Sequence, residues 1–501
     1  MSRLASRTIS RRTFLSAGAG VIGAIACGDE TAKRGADALD APEVEAEPAD
    51  TIADTFVAEI EADSAPEPED LAAADETVTI ERIDPGDILL AVDGYFPIGI
   101  SAADPAPDGV IAASRYLGLE PLELVVWRVE AATPLELAGE LATRRVVEVA
   151  AGGYVAAAID GLAALGEYRF CFVAAGLRSP VGRFRTAPAT RPMLPVVRFG
   201  ATSCAKWDFR PFDVLTRASE ASLDFFLLLG DTTYADSATT LDEYRDNWQR
   251  NLATSEYRAL RASTSIAAIW DDHEVTNNWS PEDVDATRLA AARQAFFEHM
   301  TPRRSPLAPE RTWRSFGWGG TVDVFLLDGR SERLPSTRNT GAAQYISEAQ
   351  LAWLEAGLEA SQAVFKIVCT AVPITAWPTL YLAKDQRWEG YATQRERVLA
   401  ICEKIPGLVW VAGDFHFGAV AQVDPPGGAH FAQTEVLVGP VAHVNPALAV
   451  VQLTGDPAQF QWTSGERNYG RFTCDPNASP PSLVIEHVDR DGNVLATHTL
   501  V

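Results

Sequence analysis

Five short apolar runs after residue 195 each end on side chains that bind metals or move protons. Phe199 to Ser203 runs into Cys204, Phe225 to Leu229 into Gly230-Asp231, and Ile266 to Trp270 into Asp271-Asp272-His273-Glu274. Val324 to Leu327 runs into Asp328-Gly329-Arg330, and Leu408 to Ala412 into Gly413-Asp414-Phe415-His416. A carboxylate placed straight after a buried strand is costly unless it is paired or holds a cation. A single Gly-Asp of this kind is more often a turn. Five such endings in one orientation argue for one shared site.

Those side chains need a scaffold that brings strand ends together. From Val196 onward, apolar runs alternate with helical segments, the pattern of a layered α/β domain. Ser347 with Gln350 reads as a capping box, followed by Leu351, Leu354 and Leu358 at helical spacing. Val398, Ile401 and Ile405 repeat that spacing, and Ala286 to Met300 is a further helical segment carrying His299. In α/β sheets the functional crevice lies at the carboxyl ends of the strands, where these five runs place their polar residues. The domain is expected to span 195–501.

Residues 88–190 read differently. Leu122 to Val129 and Tyr168 to Val173 are strand-like runs rich in β-branched and aromatic residues, with turn signals such as Gly152-Gly153 between runs. Roughly 100 residues of this kind predict an immunoglobulin- or fibronectin-like β sandwich. Cys171 alternates with apolar neighbours and reads as a buried thiol, and Cys369, Cys402 and Cys474 as unreactive ones.

The start of the chain carries address signals rather than fold. Ser10-Arg11-Arg12-Thr13-Phe14-Leu15 reads as a twin-arginine signal, and a small-residue apolar run follows from Ala17 to Ala26. That run is too short to span a bilayer as a stable helix. It ends at Cys27, placed as in a lipoprotein cleavage site. The expectation for residues 1–27 is export by the twin-arginine machinery, with the protein periplasmic or at the cell surface, lipid-anchored to a membrane at Cys27. Residues 28–87 are expected to be a tether. Between Gly28 and Glu76 there are 17 acidic and 2 basic residues and no apolar periodicity, so nothing there offsets the entropy of ordering. The whole chain has 501 residues and a net charge of −26, so no nucleic-acid-binding surface is evident. Its 47% apolar and 22% charged residues are those of a globular protein.

The chemical motifs also carry a resemblance. SCAKW (203–207), GDTTYAD (230–236), WDDHEVTNNW (270–279), LLDGRSER (326–333) and GDFH (413–416) are similar to the calcineurin-like metallophosphatase pattern in the form used by the PhoD-like alkaline phosphatases and phosphodiesterases. FPIGISAADPAPDGV (96–110), SPVGRFRTAP (179–188) and QLAWLEAGLEAS (350–361) extend the likeness to roughly residues 90 to 499. The resemblance implies a metallophosphatase-type α/β sandwich preceded by a β domain. It implies hydrolysis of phosphate esters by a metal-activated hydroxide between two ions. In it Asp231 bridges the ions, Cys204, Tyr234 and His416 complete the site of Fe³⁺, and Asp272 and Asp414 complete the site of Ca²⁺. Few imidazoles and many oxygens favour hard ions such as Ca²⁺ or Mn²⁺, while a thiolate with one histidine also suits Zn²⁺. His273 is the candidate to protonate the leaving group or to stabilise charge on the phosphate. Asp271 would orient it or support the metal ligands from outside, and Arg330 is a candidate phosphate clamp, against a salt bridge to Asp328 or Glu332. His443 follows an apolar run without a role. The rival readings are a catalytically inactive cell-surface binding protein that keeps this fold, and an adhesion role for the β domain alone.

Overall fold

The computed structural model describes residues 81–500 apart from 85, 87, 91–93, 130–137, 190, 192, 378–385 and 446–457. The twin-arginine motif, Cys27 and the acidic run to residue 76 lie outside the described residues.

The strand Phe225–Leu229 is buried at all five positions, and its two faces meet different partners. Phe225, Leu227 and Leu229 join Val324, Leu326, Ile367, Val409 and Val411 in an apolar layer between two sheets. Phe226 and Leu228 pack the other way, among Leu215, Trp248 and Phe296. A strand covered on both sides must be apolar throughout, with alternate residues serving alternate layers. The helices Asp213–Ser219, Leu241–Leu252, Ser255–Ser263 and Ala286–Met300 supply the outer cover of this sheet, and Glu348–Ala360 and Ala392–Cys402 that of the other.

The first sheet has nine strands, and the parallel trio Val197–Thr202, Phe225–Leu229 and Ser265–Ile269 lies at its centre. The second has seven, with Val322–Leu326, Phe365–Thr370 and Leu408–Ala412 parallel and adjacent. The layered α/β sandwich expected from the sequence is therefore present, and the expected strand ends agree to within two residues.

The β sandwich is present too, but it is not set apart. Ile100, Ala102, Val110, Val155 and Ile159 pack against Leu124, Val126, Phe170, Phe172 and Phe184. The strand Ile100–Ala106 then pairs in parallel with Ser265–Ile269, matching Ala102 to Ser265 and Ala103 to Ile266. One sheet of the sandwich is thus the continuation of the nine-stranded sheet, and the edge that each part would expose alone is covered by the other. The tether was expected to reach residue 87, yet Arg82–Ile83 already pairs with Glu140 and Gly139.

Ser347 caps its helix by accepting from the Gln350 amide at 3.1 Å. The box is not closed. The Gln350 side chain instead accepts from the Asp328 amide at 2.8 Å and donates to the Asp328 carbonyl at 3.1 Å and to Glu332 at 2.7 Å. This ties the helix to the loop that carries Arg330. Cys171, Cys204, Cys369, Cys402 and Cys474 are buried and free. Among the described residues no helix is long and apolar enough to cross a membrane.

Candidate metal centre

The five strand ends converge. Cys204, Asp231 and His416 each place one ligand atom within 4.8 Å of the others, as do Asp231, Asp271 and Asp414, and again Asp231, Asp272 and His273. Asp231 belongs to all three sets, which is what the expected bridging role requires. Tyr234 joins the first set. Its hydroxyl donates to Asp231 Oδ2 at 2.9 Å and lies 3.3 Å from His416 Nε2.

The backbone is bent to achieve this. Cys204, Asp231, Asp414 and His416 have φ of 62°, 54°, 58° and 58°, a left-handed region that non-glycine residues rarely occupy. Three of the five strands thus end by turning a candidate ligand out of strand geometry. Gly230, at φ 88°, makes room: a Cβ there would lie 2.6 Å from Asp271 Cβ. Glu274 then clips two loops together, accepting from the amides of Thr232 at 2.6 Å, Asp271 at 2.9 Å and Asp231 at 3.2 Å.

The second set differs from the expected one. Asp271, rather than Asp272, groups with Asp231 and Asp414, while Asp272 groups with Asp231 and His273. The chain leaves strand geometry after Ile269, so consecutive carboxylates no longer alternate between faces and both turn toward Asp231. Arg330 also departs from expectation. It is 2% exposed, its Nε donates to Asp271 Oδ1 at 2.5 Å and its Nη2 lies 3.5 Å from Asp272 Oδ2. It braces the two carboxylates, its Nη1 is buried without a hydrogen-bond partner among the described residues, and it does not pair through its side chain with Asp328 or Glu332 among the described contacts.

The electrostatics call for cations. Asp231 Oδ1, Asp271 Oδ2 and Asp272 Oδ1 are buried and accept no hydrogen bond among the described residues. Burial, then the neighbouring aspartates, push Asp231, Asp271 and Asp414 above the usual carboxylate range. Burial acts upward on Asp272 as well, but Arg330, His273 and the Asn278 amide overcome it and hold Asp272 low. Burial, and then the charge of His273, lower His416 to about 3, so it is the neutral imidazole that a metal takes as a ligand. Burial raises the Cys204 thiol, with Asp231 adding to it, and only a bound cation would favour the thiolate. Three unpartnered carboxylate oxygens, a thiol, a phenol and a neutral imidazole therefore fit bound cations.

His273 borders this set. Burial opposes its charge, yet Asp272, Asp231 and Asp236 outweigh it and raise the imidazole to about 11. Its Nδ1 pairs with Asp236 Oδ1 at 2.7 Å, the same oxygen that accepts from the Asn277 amide, and its ring stacks on Tyr234 at 4.1 Å. Asp414, His416 and His273 keep partial exposure, so the site opens on their side.

Four neighbours had no role in the sequence reading. Asp236 orients His273, and Glu274 holds the loops. His443 Nδ1 lies 3.4 Å from the Tyr234 hydroxyl and its ring 4.0 Å from that of His416. Lys206 Nζ stands 5.4 Å from the centre of the Tyr234 ring. Asp236, Glu274 and Lys206 sit inside the motif stretches, where a role could have been sought. His443 lies 209 residues from Tyr234 and only the fold brings it near.

Residues 199–476, more than half of the chain, match the family described as PhoD-like phosphatase. Alkaline phosphatase D of Bacillus subtilis (strain 168) is 27% identical over 378 residues, which cover 64% of this chain and 64% of that protein. The chain thus spans less than two thirds of the length of that curated relative. A solved structure titled Structure of PhoD superposes with a TM-score of 0.70 at 21% identity, covering 82% of this chain and 90% of that one. Purple acid phosphatase PPD1 from yellow lupin (Lupinus luteus) seeds gives a TM-score of 0.58 at 13% identity, covering 80% and 73%. At these identities the two structures speak for the fold alone. The family match extends from the strand before Cys204 to the strand beyond His416 and takes in every candidate ligand, and the chain belongs to the PhoD-like phosphatase family.

Proposed function

We propose that this protein is an exported, metal-dependent hydrolase of phosphate mono- or diesters, working at the cluster around Asp231. The observation that carries the reading is the set of three buried, unpartnered oxygens on Asp231, Asp271 and Asp272 beside Cys204, Tyr234 and His416. Asp231 would bridge two cations, with Cys204, Tyr234 and His416 on one side and Asp414 with Asp271 or Asp272 on the other. Fe³⁺ suits the thiolate and phenolate side and Ca²⁺ or Mn²⁺ the carboxylate side. When bound, such ions polarise a phosphoryl oxygen and lower the pKa of water.

The chain's own residues supply the rest. Asp236 fixes the His273 ring through Nδ1, which leaves Nε2 to protonate the departing oxygen or to stabilise charge on the phosphate. Arg330 neutralises Asp271 and Asp272 so that the cluster tolerates its carboxylates before cations arrive. Lys206 and His443, beside Tyr234, are the side chains best placed to meet phosphate oxygens at the mouth, and they take over the clamp role first given to Arg330. Export by the twin-arginine route and lipid attachment at Cys27 are part of the same proposal and rest on the leader sequence.

The test is hydrolysis of 4-nitrophenyl phosphate and bis(4-nitrophenyl) phosphate before and after chelation. Activity should disappear with the metals and return when they are restored. Activity that survives complete metal removal would overturn the proposal.

A further inference from the structure

A second cavity, of about 500 Å³, lies beside the edge strand Arg314–Trp318, where the bulged strand Ile100–Ala106 and the 303–311 loop approach it. It shares no lining residue with the aspartate cluster. Five arginines line it, Arg191, Arg303, Arg304, Arg311 and Arg314, against two carboxylates, Asp104 and Asp323. Those carboxylates are already held. Asp104 takes Arg314 Nε and Nη2, each at 2.6 Å, and the Arg303 amide at 2.6 Å. Asp323 takes Arg191 at 2.8 Å and the Ser361 hydroxyl at 2.6 Å.

Arg304 and Arg311 are different. Their guanidinium groups lie over aromatic rings just outside the cavity's lining, Arg304 at 3.9 Å from the centre of Phe297, where an adjoining cavity that Arg304 also borders begins, and Arg311 at 4.2 Å from that of Trp313. Neither has a carboxylate in ion-pair contact among the described residues. Glu310, the acidic side chain whose charge acts most on Arg304, pairs with Arg293. An aromatic face holds a guanidinium in place without satisfying its N–H groups, which stay available to an anion. The remaining wall is apolar, with Pro105, Pro188 and Phe316. The backbone is strained to form it: Asp104 stands at φ 45° within the bulge. The volume lies in the range of small-molecule sites.

We infer that this cavity is a second anion site, which binds a small organic phosphate through the forks of Arg304 and Arg311 and seats the apolar body of that molecule against Phe316 and the prolines. Guanidinium pairs with carboxylate or phosphate oxygens two at a time, and a phosphate, with three non-bridging oxygens, can meet both forks at once. The inference does not depend on turnover at the Asp231 cluster.

The probe is phenylphosphonate, whose P–C bond resists hydrolysis, titrated by calorimetry into the full chain with its metals. The expected result is a binding event that weakens at least tenfold in R304A/R311A, while hydrolysis of 4-nitrophenyl phosphate stays within about twofold. Methylphosphonate, which lacks the apolar body, should bind this site at least tenfold more weakly than phenylphosphonate. R304K/R311K keeps charge and loses the forks, and it too should bind more weakly than the native chain. It serves alone if the alanine variant does not fold. Binding equal to native in either arginine variant would overturn the inference. So would a single event that disappears in Asp231→Asn.

Discussion

Arg330 donates through Nε to Asp271 at 2.5 Å, and both side chains are at most 2% exposed. This pair explains how Asp271 and Asp272 can stand side by side in the crevice. Removing one partner of a buried pair leaves an uncompensated charge, a loss of about 3–5 kcal/mol. Arg330→Ala should therefore lower stability by that order in urea unfolding and reduce metal content and kcat. An increase in KM alone, with metals and stability intact, would return Arg330 to phosphate binding.

His273 and Asp236 should act as a unit. His273→Ala is expected to slow turnover by ~10²–10⁴-fold with metal content retained. Asp236→Asn should give a smaller loss of the same kind, because it releases the ring without removing it. In both variants the loss should be greater for alkyl than for nitrophenyl leaving groups, which need no proton. Steady-state rates across a series of leaving groups check this, and equal losses would instead indicate a phosphate-positioning role.

Tyr234 and Cys204 predict a colour. A phenolate or thiolate on Fe³⁺ gives a visible charge-transfer band, so the natively purified protein should absorb in the visible. Tyr234→Phe should bleach or shift that band, and His443→Ala, which removes a neighbour 3.4 Å from the phenol oxygen, should shift it less. A colourless, iron-free and fully active protein would remove iron from the proposal.

Acid should unfold the chain partly through histidines far from the centre. Burial lowers His299 from 6.5 to about 3 and His487 from 6.5 to about 4. His299 is held neutral between the Ala295 carbonyl at 2.7 Å and the Tyr154 hydroxyl at 3.2 Å, across the seam between helix and β sandwich. Their folded values lie below the unfolded one. The stability they contribute is thus present above pH 6.5 and is lost as pH falls toward 3 to 4. Each should remove about 2 kcal/mol between pH 7 and pH 5. Urea unfolding at both pH values measures this, and in His299→Gln the drop should be smaller by about that amount. An unchanged drop would contradict the assignment.

Much of this was readable because buried parallel strands must be apolar throughout, so Phe225–Leu229 and Leu408–Ala412 stand out together with the polar residue that ends each. Asp231 could be named as a candidate ligand for the same reason. What could not be read depends on backbone direction or distant contact. Whether Asp271 or Asp272 faces Asp414 depends on how the chain turns after Ile269. His443 reaches Tyr234 only through the folded crevice. Gln350 looked like half of a capping box, and its amide was claimed by Asp328 and Glu332 instead. The β sandwich was legible as strands, but the pairing of Ala102 with Ser265 joins residues 163 positions apart, and neither segment announces it.

The most direct test of the account is Asp231→Asn, because Asp231 belongs to every candidate ligand set among the described residues. Metal content and hydrolysis of bis(4-nitrophenyl) phosphate should be measured together on the native chain and on the variant, with folding checked by circular dichroism. The account predicts a folded variant that has lost most of its bound metal and nearly all of its turnover. A folded variant with native metal content and near-native turnover would contradict it.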